Sequence, residues 1–193
     1  MEKVLGDIRR IGLLCWTVAV TPLAAAQPSP ADWSRADAAT VRVSPSAFTN
    51  LPSAIRTAME KRGCTVPQPA GSERRRNVIT GHFTGAKARE WAALCSRDRR
   101  STVLVFHGDG SSKVDEVGEA ADADYLQTRP GGRIGFSRAL LVASPRAIKR
   151  IRTDDGPKLR VIDHDGIVDA FEGKGSMIWY WLEGKWVLLP GSD

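Results

Sequence analysis

The first 26 residues decide where the rest of the chain must fold. Lys3, Arg9 and Arg10 precede an apolar run over residues 11–23, which ends in Ala24-Ala25-Ala26 before the polar Gln27-Pro28-Ser29-Pro30. Positive charge, an apolar stretch and small residues at the cleavage site, in that order, are what a secretory signal peptide requires. The run is shorter than the roughly 20 residues of a membrane-spanning helix, and the prolines behind it end any helix. Cleavage is expected after Ala26, so the folded part is expected in the periplasm or the medium and not as an integral membrane protein. Cys15 does not turn this into a lipoprotein signal, because Leu14 in front of it is not small.

Removing the leader leaves 167 of the 193 residues, enough for one domain with a real core. The expected organisation is a signal peptide over 1–26, a flexible lead-in over 27–45 and a single globular domain over 46–193. Cys64 and Cys95 remain as the cysteines of the exported part. Two cysteines in an oxidising compartment read as one disulfide; free buried thiols or a metal pair are the alternatives. The leader takes away three Lys or Arg and two Asp or Glu, so a net charge of +6 becomes +5. A mildly basic exported domain suits anionic surroundings such as lipid headgroups or cell-wall polymers, and the same charge also serves solubility. The basic residues form only short clusters, Arg74-Arg75-Arg76 and Arg97, Arg99, Arg100. Without an aromatic-basic stripe, nucleic acid is not expected as a partner.

The patterning predicts α+β architecture, an antiparallel sheet with one or two helices packed on it. Leu51, Ile55, Ala58 and Met59 recur at helical spacing, with Pro52 at the start and Gly63 behind Lys61 and Arg62 at the end. Strands are expected over 77–83, 91–95 and 102–106, joined by short turns as a meander. The last of these is apolar throughout and is expected to be central, covered on both faces. Residues 108–132 read as a long Gly- and Asp-rich loop, residues 134–142 as one strand, and 146–151 as a short helix behind Ser144-Pro145. Asp154-Asp155-Gly156-Pro157 reads as a turn. The tail closes as a hairpin, with strands over 177–182 and 185–189 about Glu183-Gly184.

Three features carry hints of chemistry. Read as a calcium loop from Val161, residues 161–172 place Asp163 and Asp165 third and fifth, Gly166 sixth, Asp169 ninth and Glu172 twelfth. Val161 supplies no side-chain oxygen at the first place. The competing reading is an Asp-Gly turn with solvated carboxylates. Trp179 and Trp181 share one face of a strand, where they could stack on a ligand or close a core. His107 stands before Asp109 and Ser111, which would serve a small hydrolase only if the fold aimed all three together. No nucleophile elbow, zinc helix or phosphate loop is present.

The runs Arg62-Gly63-Cys64-Thr65-Val66-Pro67-Gln68, Asn77-Val78-Ile79 and Glu90-Trp91-Ala92-Ala93-Leu94-Cys95-Ser96, with Asp163-His164-Asp165-Gly166 and a closing Trp hairpin, resemble a set of uncharacterised secreted bacterial proteins. That resemblance implies export and carries no activity. Gly81-His82-Phe83-Thr84-Gly85 leading into Trp91-Ala92-Ala93-Leu94 is similar to a degenerate FG-GAP-like β-repeat, lacking that repeat's Asp-rich calcium loop. The functional expectation is an exported non-enzymatic module binding a protein or an anionic envelope component. The alternatives are a calcium-stabilised domain using Asp163, Asp165, Asp169 and Glu172, and a small hydrolase built on His107.

Overall fold

The computed structural model describes residues 27–87, 89–108, 110, 113–151 and 161–191. The leader with its cleavage site, Asp109, Ser111 and the turn expected at 154–157 lie outside the described residues. Among them are three α-helices and twelve strands, all paired antiparallel. The architecture is therefore richer in β-structure than a single sheet with helices on it. No described helix is long and apolar enough to cross a membrane.

The segment expected as an unstructured lead-in holds α1 (Pro30–Ala39), β1 (Arg42–Val43) and a 3-10 turn (Pro45–Ala47). Local signals for α1 are present: the Ser29 hydroxyl accepts the Asp32 N–H, the Asp32 carboxylate accepts the Ser29 N–H, and Pro30 opens the first turn. What the segment lacks is an apolar stripe. It is anchored instead by Trp33 and Ala36 against the core and by nearly buried Asp37 in ion pairs to Arg42 and Arg99. Polar anchoring of that kind leaves no hydrophobic period to read.

The helix expected over 51–62 is α2 (Ser53–Lys61), closed by Gly63 in the left-handed region at φ 71°. Beyond it come β2 (Val66–Pro67), which pairs with β1, then β3 (Val78–Gly81), β4 (Glu90–Arg97) and β5 (Arg100–Phe106). The last three form the expected meander. Residues 108–132 are not one long loop. They contain β6 (Val114–Ala121), which completes the sheet β3-β4-β5-β6, a 3-10 turn (Asp122–Tyr125) and β7 (Leu126–Thr128). β6 is an edge strand rich in Asp, Glu and Gly; its ladder to β5 forms it, not its own propensity.

The strand expected over 134–142 is two strands in different sheets, β8 (Ile134–Phe136) on β7 and β9 (Arg138–Ala143) on β10. Buried Ser137 is the joint. Its N–H donates to the Tyr125 carbonyl, and its own carbonyl accepts the Glu172 N–H. Helix α3 (Pro145–Ile151) follows. Strands β10 (Gly166–Phe171), β11 (Gly175–Leu182) and β12 (Lys185–Pro190) complete a second four-stranded sheet, ordered β12-β11-β10-β9. The β11–β12 hairpin turns on Glu183 and Gly184, both at positive φ, as a two-residue turn of this hand needs.

The two large sheets pack face to face. Alternation sends Trp91, Ala93, Cys95, Leu104 and Phe106 to α2 and the 3-10 turn, and Ala92, Leu94, Val103 and Val105 to the second sheet. On that sheet Leu140 and Ile167 face the first, while Ile178, Tyr180 and Leu189 face α3. The layers run α2, sheet, sheet, α3. Cys64 and Cys95 form a disulfide that ties the end of α2 to β4. Gly118 shows how tightly the sheets approach. It sits at φ 66° beside the register shift of β6, and a Cβ there would stand 3.0 Å from Arg138 Nη2 and 3.1 Å from both Asp169 Oδ2 and Trp179 Nε1.

Candidate ligand groove

The four carboxylates expected to ring a cation are not brought together. Residues 166–171 are a strand paired on both edges, and an extended strand spreads its side chains instead of curling round an ion. Each acid has its own protein partner. Asp163 Oδ1 meets His164 Nδ1 at 2.8 Å, and Asp165 Oδ2 accepts the His82 N–H at 2.9 Å. Asp169 pairs with Arg138 and Glu172 with Arg76. Among the described residues, no three His, Cys, Asp or Glu side chains are placed to hold a metal ion.

His107 also finds partners other than those expected. Its Nε2 lies 2.8 Å from Asp115 Oδ2 and its Nδ1 3.2 Å from Glu90 Oε1. Glu90 is fully buried and accepts the Phe83 and Thr84 N–H groups and the Thr84 hydroxyl. Burial pushes the Asp115 carboxyl up, but hydrogen bonds from Trp186 and His107, with the charges of His107 and Lys113, hold it below its ordinary value. This is a polar plug at one end of the space between the sheets. Trp179 and Trp181 are both half-buried, and they meet different surroundings. Trp181 meets Trp186 edge-on at 5.3 Å, with Lys113 over its ring. Trp179 packs against the inter-sheet core.

At the other end lies fully buried Arg138. Burial would lower its pKa, but two hydrogen bonds and the charge of Asp169 raise it above ordinary arginine. Its guanidinium stands 4.6 Å over the Tyr125 ring. Burial first, and then the charge of Asp169, raises the Tyr125 phenol; burial and then Asp163 raise that of Tyr180. These are the chain's two tyrosines. A raised folded pKa contributes stability that is complete below the unfolded value of about 10 and is lost as pH rises through the folded value. An absorbance titration at 295 nm is therefore expected to show both phenols ionising above pH 10 in the native protein and at the ordinary value in denaturant. Coincident curves would contradict the burial of both rings.

One of several open concavities among the described residues lies elsewhere, between α1 and residues 68–75, over β8. Its volume is about 400 Å³, within the roughly 300–1,000 Å³ of small-ligand sites. Ala36 and Ala39 of α1, exposed Val41, Val43, Ile134 and Phe136 make an apolar surface. Gln68 fixes the opposing loop: its amide donates to the Val66, Pro67 and Arg76 carbonyls and accepts the Arg76 N–H. Arg74, Arg75 and Glu73 stand exposed along the rim.

The arginine clusters visible in the sequence have different fates. Arg76, Arg97, Arg99 and Arg100 pair with Glu172, Glu116, Asp37 and Glu119. Arg74 and Arg75 have no carboxylate partner among the described residues, and both line the groove. Sequence reasoning noted this basic cluster but had no signal for the concavity, whose walls come from three segments up to 100 residues apart. No protein-family model, curated protein or solved structure matches the chain.

Proposed function

We propose that the protein is an exported, non-enzymatic module that binds an anionic envelope component in the groove between α1 and residues 68–75. The observation that carries this reading is the pair Arg74 and Arg75, left without carboxylate partners among the described residues beside an exposed apolar surface, while the next arginine, Arg76, is neutralised by Glu172. The disulfide fits an oxidising compartment. The polar clusters around His107 and Arg138 link neighbouring elements and present no aimed nucleophile among the described residues. Binding of the purified, oxidised protein to phosphatidylglycerol vesicles and to lipopolysaccharide should be measured against phosphatidylcholine vesicles. Preference for at least one anionic surface is expected, reduced tenfold or more in Arg74→Glu/Arg75→Glu. Equal binding by that variant, or none to either anionic surface, would sink the reading.

A further inference from the structure

We infer that the groove takes a single-chain amphiphile, with its alkyl chain along Ala36, Val41, Ile134 and Phe136 and its anionic head against Arg74 and Arg75. The inference rests on the proposed binding role and names its ligand chemistry. Three features of the groove select this class.

The surface is apolar and open to solvent where it need not be. Val41 is 61 % exposed although it lies between two structured elements and beside the core. A methylene chain laid there removes both its own surface and that of Val41 from water, a gain proportional to the area covered.

Part of the backbone along the walls is already paired. The Gln68 N–H donates to the Val41 carbonyl and the Ala70 N–H to the Phe136 carbonyl. β1 is laddered to β2 and β8 to β7. The Thr40 N–H and hydroxyl bond to the Asp37 and Ala36 carbonyls. An extended peptide laid in the groove would have to pair its own amides with what remains open on those walls, at a cost for each group left unpaired. An alkyl chain brings no such demand.

The charge is placed at one side only. Arg74 and Arg75 stand against Glu73 on the loop rim, a net charge of +1, while the α1 wall offers Ala36, Ala39 and Thr40. Arg75 also donates to the Ala47 carbonyl, which holds its guanidinium near the rim. A guanidinium matches a carboxylate or a phosphate by paired hydrogen bonds, so a fatty acid and a monoacyl phosphate share the required chemistry.

The test is isothermal titration of the oxidised protein with laurate and with dodecyl phosphate, each below its micellar concentration, and with dodecanol and butyrate as controls. Saturable one-to-one binding of at least one anionic amphiphile is expected, tenfold or more tighter than either control; the tighter of the two heads separates the two sources. Val41→Asp, a change at an exposed position with the fold checked by thermal melting, is expected to weaken it at least tenfold, as is Arg74→Glu/Arg75→Glu. If neither amphiphile binds while vesicles or lipopolysaccharide still bind through the two arginines, the single-chain inference falls and the binding role stands. If nothing binds through the arginines, both fall. Binding that survives Val41→Asp would place the chain outside the groove and overturn the inference.

Discussion

Arg138→Met is expected to destabilise the protein by about 3–5 kcal/mol, the usual cost of leaving one member of a buried ion pair alone. Arg138 is fully buried and reaches three other strands from β9. It donates from Nε and Nη2 to the two oxygens of Asp169 on β10, at 2.8 and 2.6 Å. Its Nη1 donates to the carbonyl and hydroxyl of Ser101 on β5, both at 3.0 Å, and Nη2 to the Gly118 carbonyl on β6. Methionine fills much of the same space but supplies no donor, so the Asp169 carboxylate would face a dry interior with little beyond the Trp179 N–H at 3.5 Å. Arg138→Met/Asp169→Leu removes both charges together and is expected to recover most of the loss, since an apolar pair of similar volume often replaces a buried ion pair without cost. Urea unfolding of the three proteins measures the effect. A loss below about 1 kcal/mol for the single variant would mean that the Arg138 network does not hold the two sheets together.

Reduction of the disulfide is the second large effect. Closing a loop over a separation of 31 residues restricts the unfolded chain by about 3–4 kcal/mol in the chain-entropy account. For a domain of this size that corresponds to a fall of roughly 10 °C in melting temperature. Both sulfurs lie in the α2 core, at 4 % and 1 % exposure, so the bond should resist mild reductant until the fold opens. The comparison is thermal unfolding of protein refolded with and without dithiothreitol after denaturation. Equal melting temperatures would show that loop closure in the unfolded state does not limit this fold.

The two effects differ in how they could be foreseen. The cysteine pair is legible without any structure, because a chain read as exported, with two cysteines left after the expected cleavage, has few other uses for them. The Arg138–Asp169 pair is not, because nothing near either residue marks it. Arg138 stands in what reads as one continuous apolar strand over 134–142, and Asp169 in what reads as a metal loop. Only the break at Ser137, which moves β9 into the second sheet, brings the two onto neighbouring strands, diagonal to each other across β9 and β10. The acidic segment over 161–172 makes the same point. Its spacing is that of a coordinating loop, yet Asp169 lies in an internal strand, Asp165, Asp169 and Glu172 each meet a partner supplied by another element, and Asp163 meets its neighbour His164.

What the sequence determined by itself is what local physics decides. Helix α2 follows from a 3.6-residue apolar period with Gly63 as its stop. The β3–β5 meander and the β11–β12 hairpin follow from apolar runs and the two-residue turn at Glu183-Gly184. The tertiary structure alone decided the rest. Helix α1 and strand β6 are polar, and they exist because Arg42, Arg99 and the β5 ladder receive them. The fate of each arginine is equally non-local: Arg76 finds Glu172 across 96 residues, whereas Arg74, two positions earlier, is left at the rim of a groove. Apolar periodicity is a property of neighbours in sequence and can be read there. Charge pairing and concavity are properties of neighbours in space, and they appear only when the layers have closed.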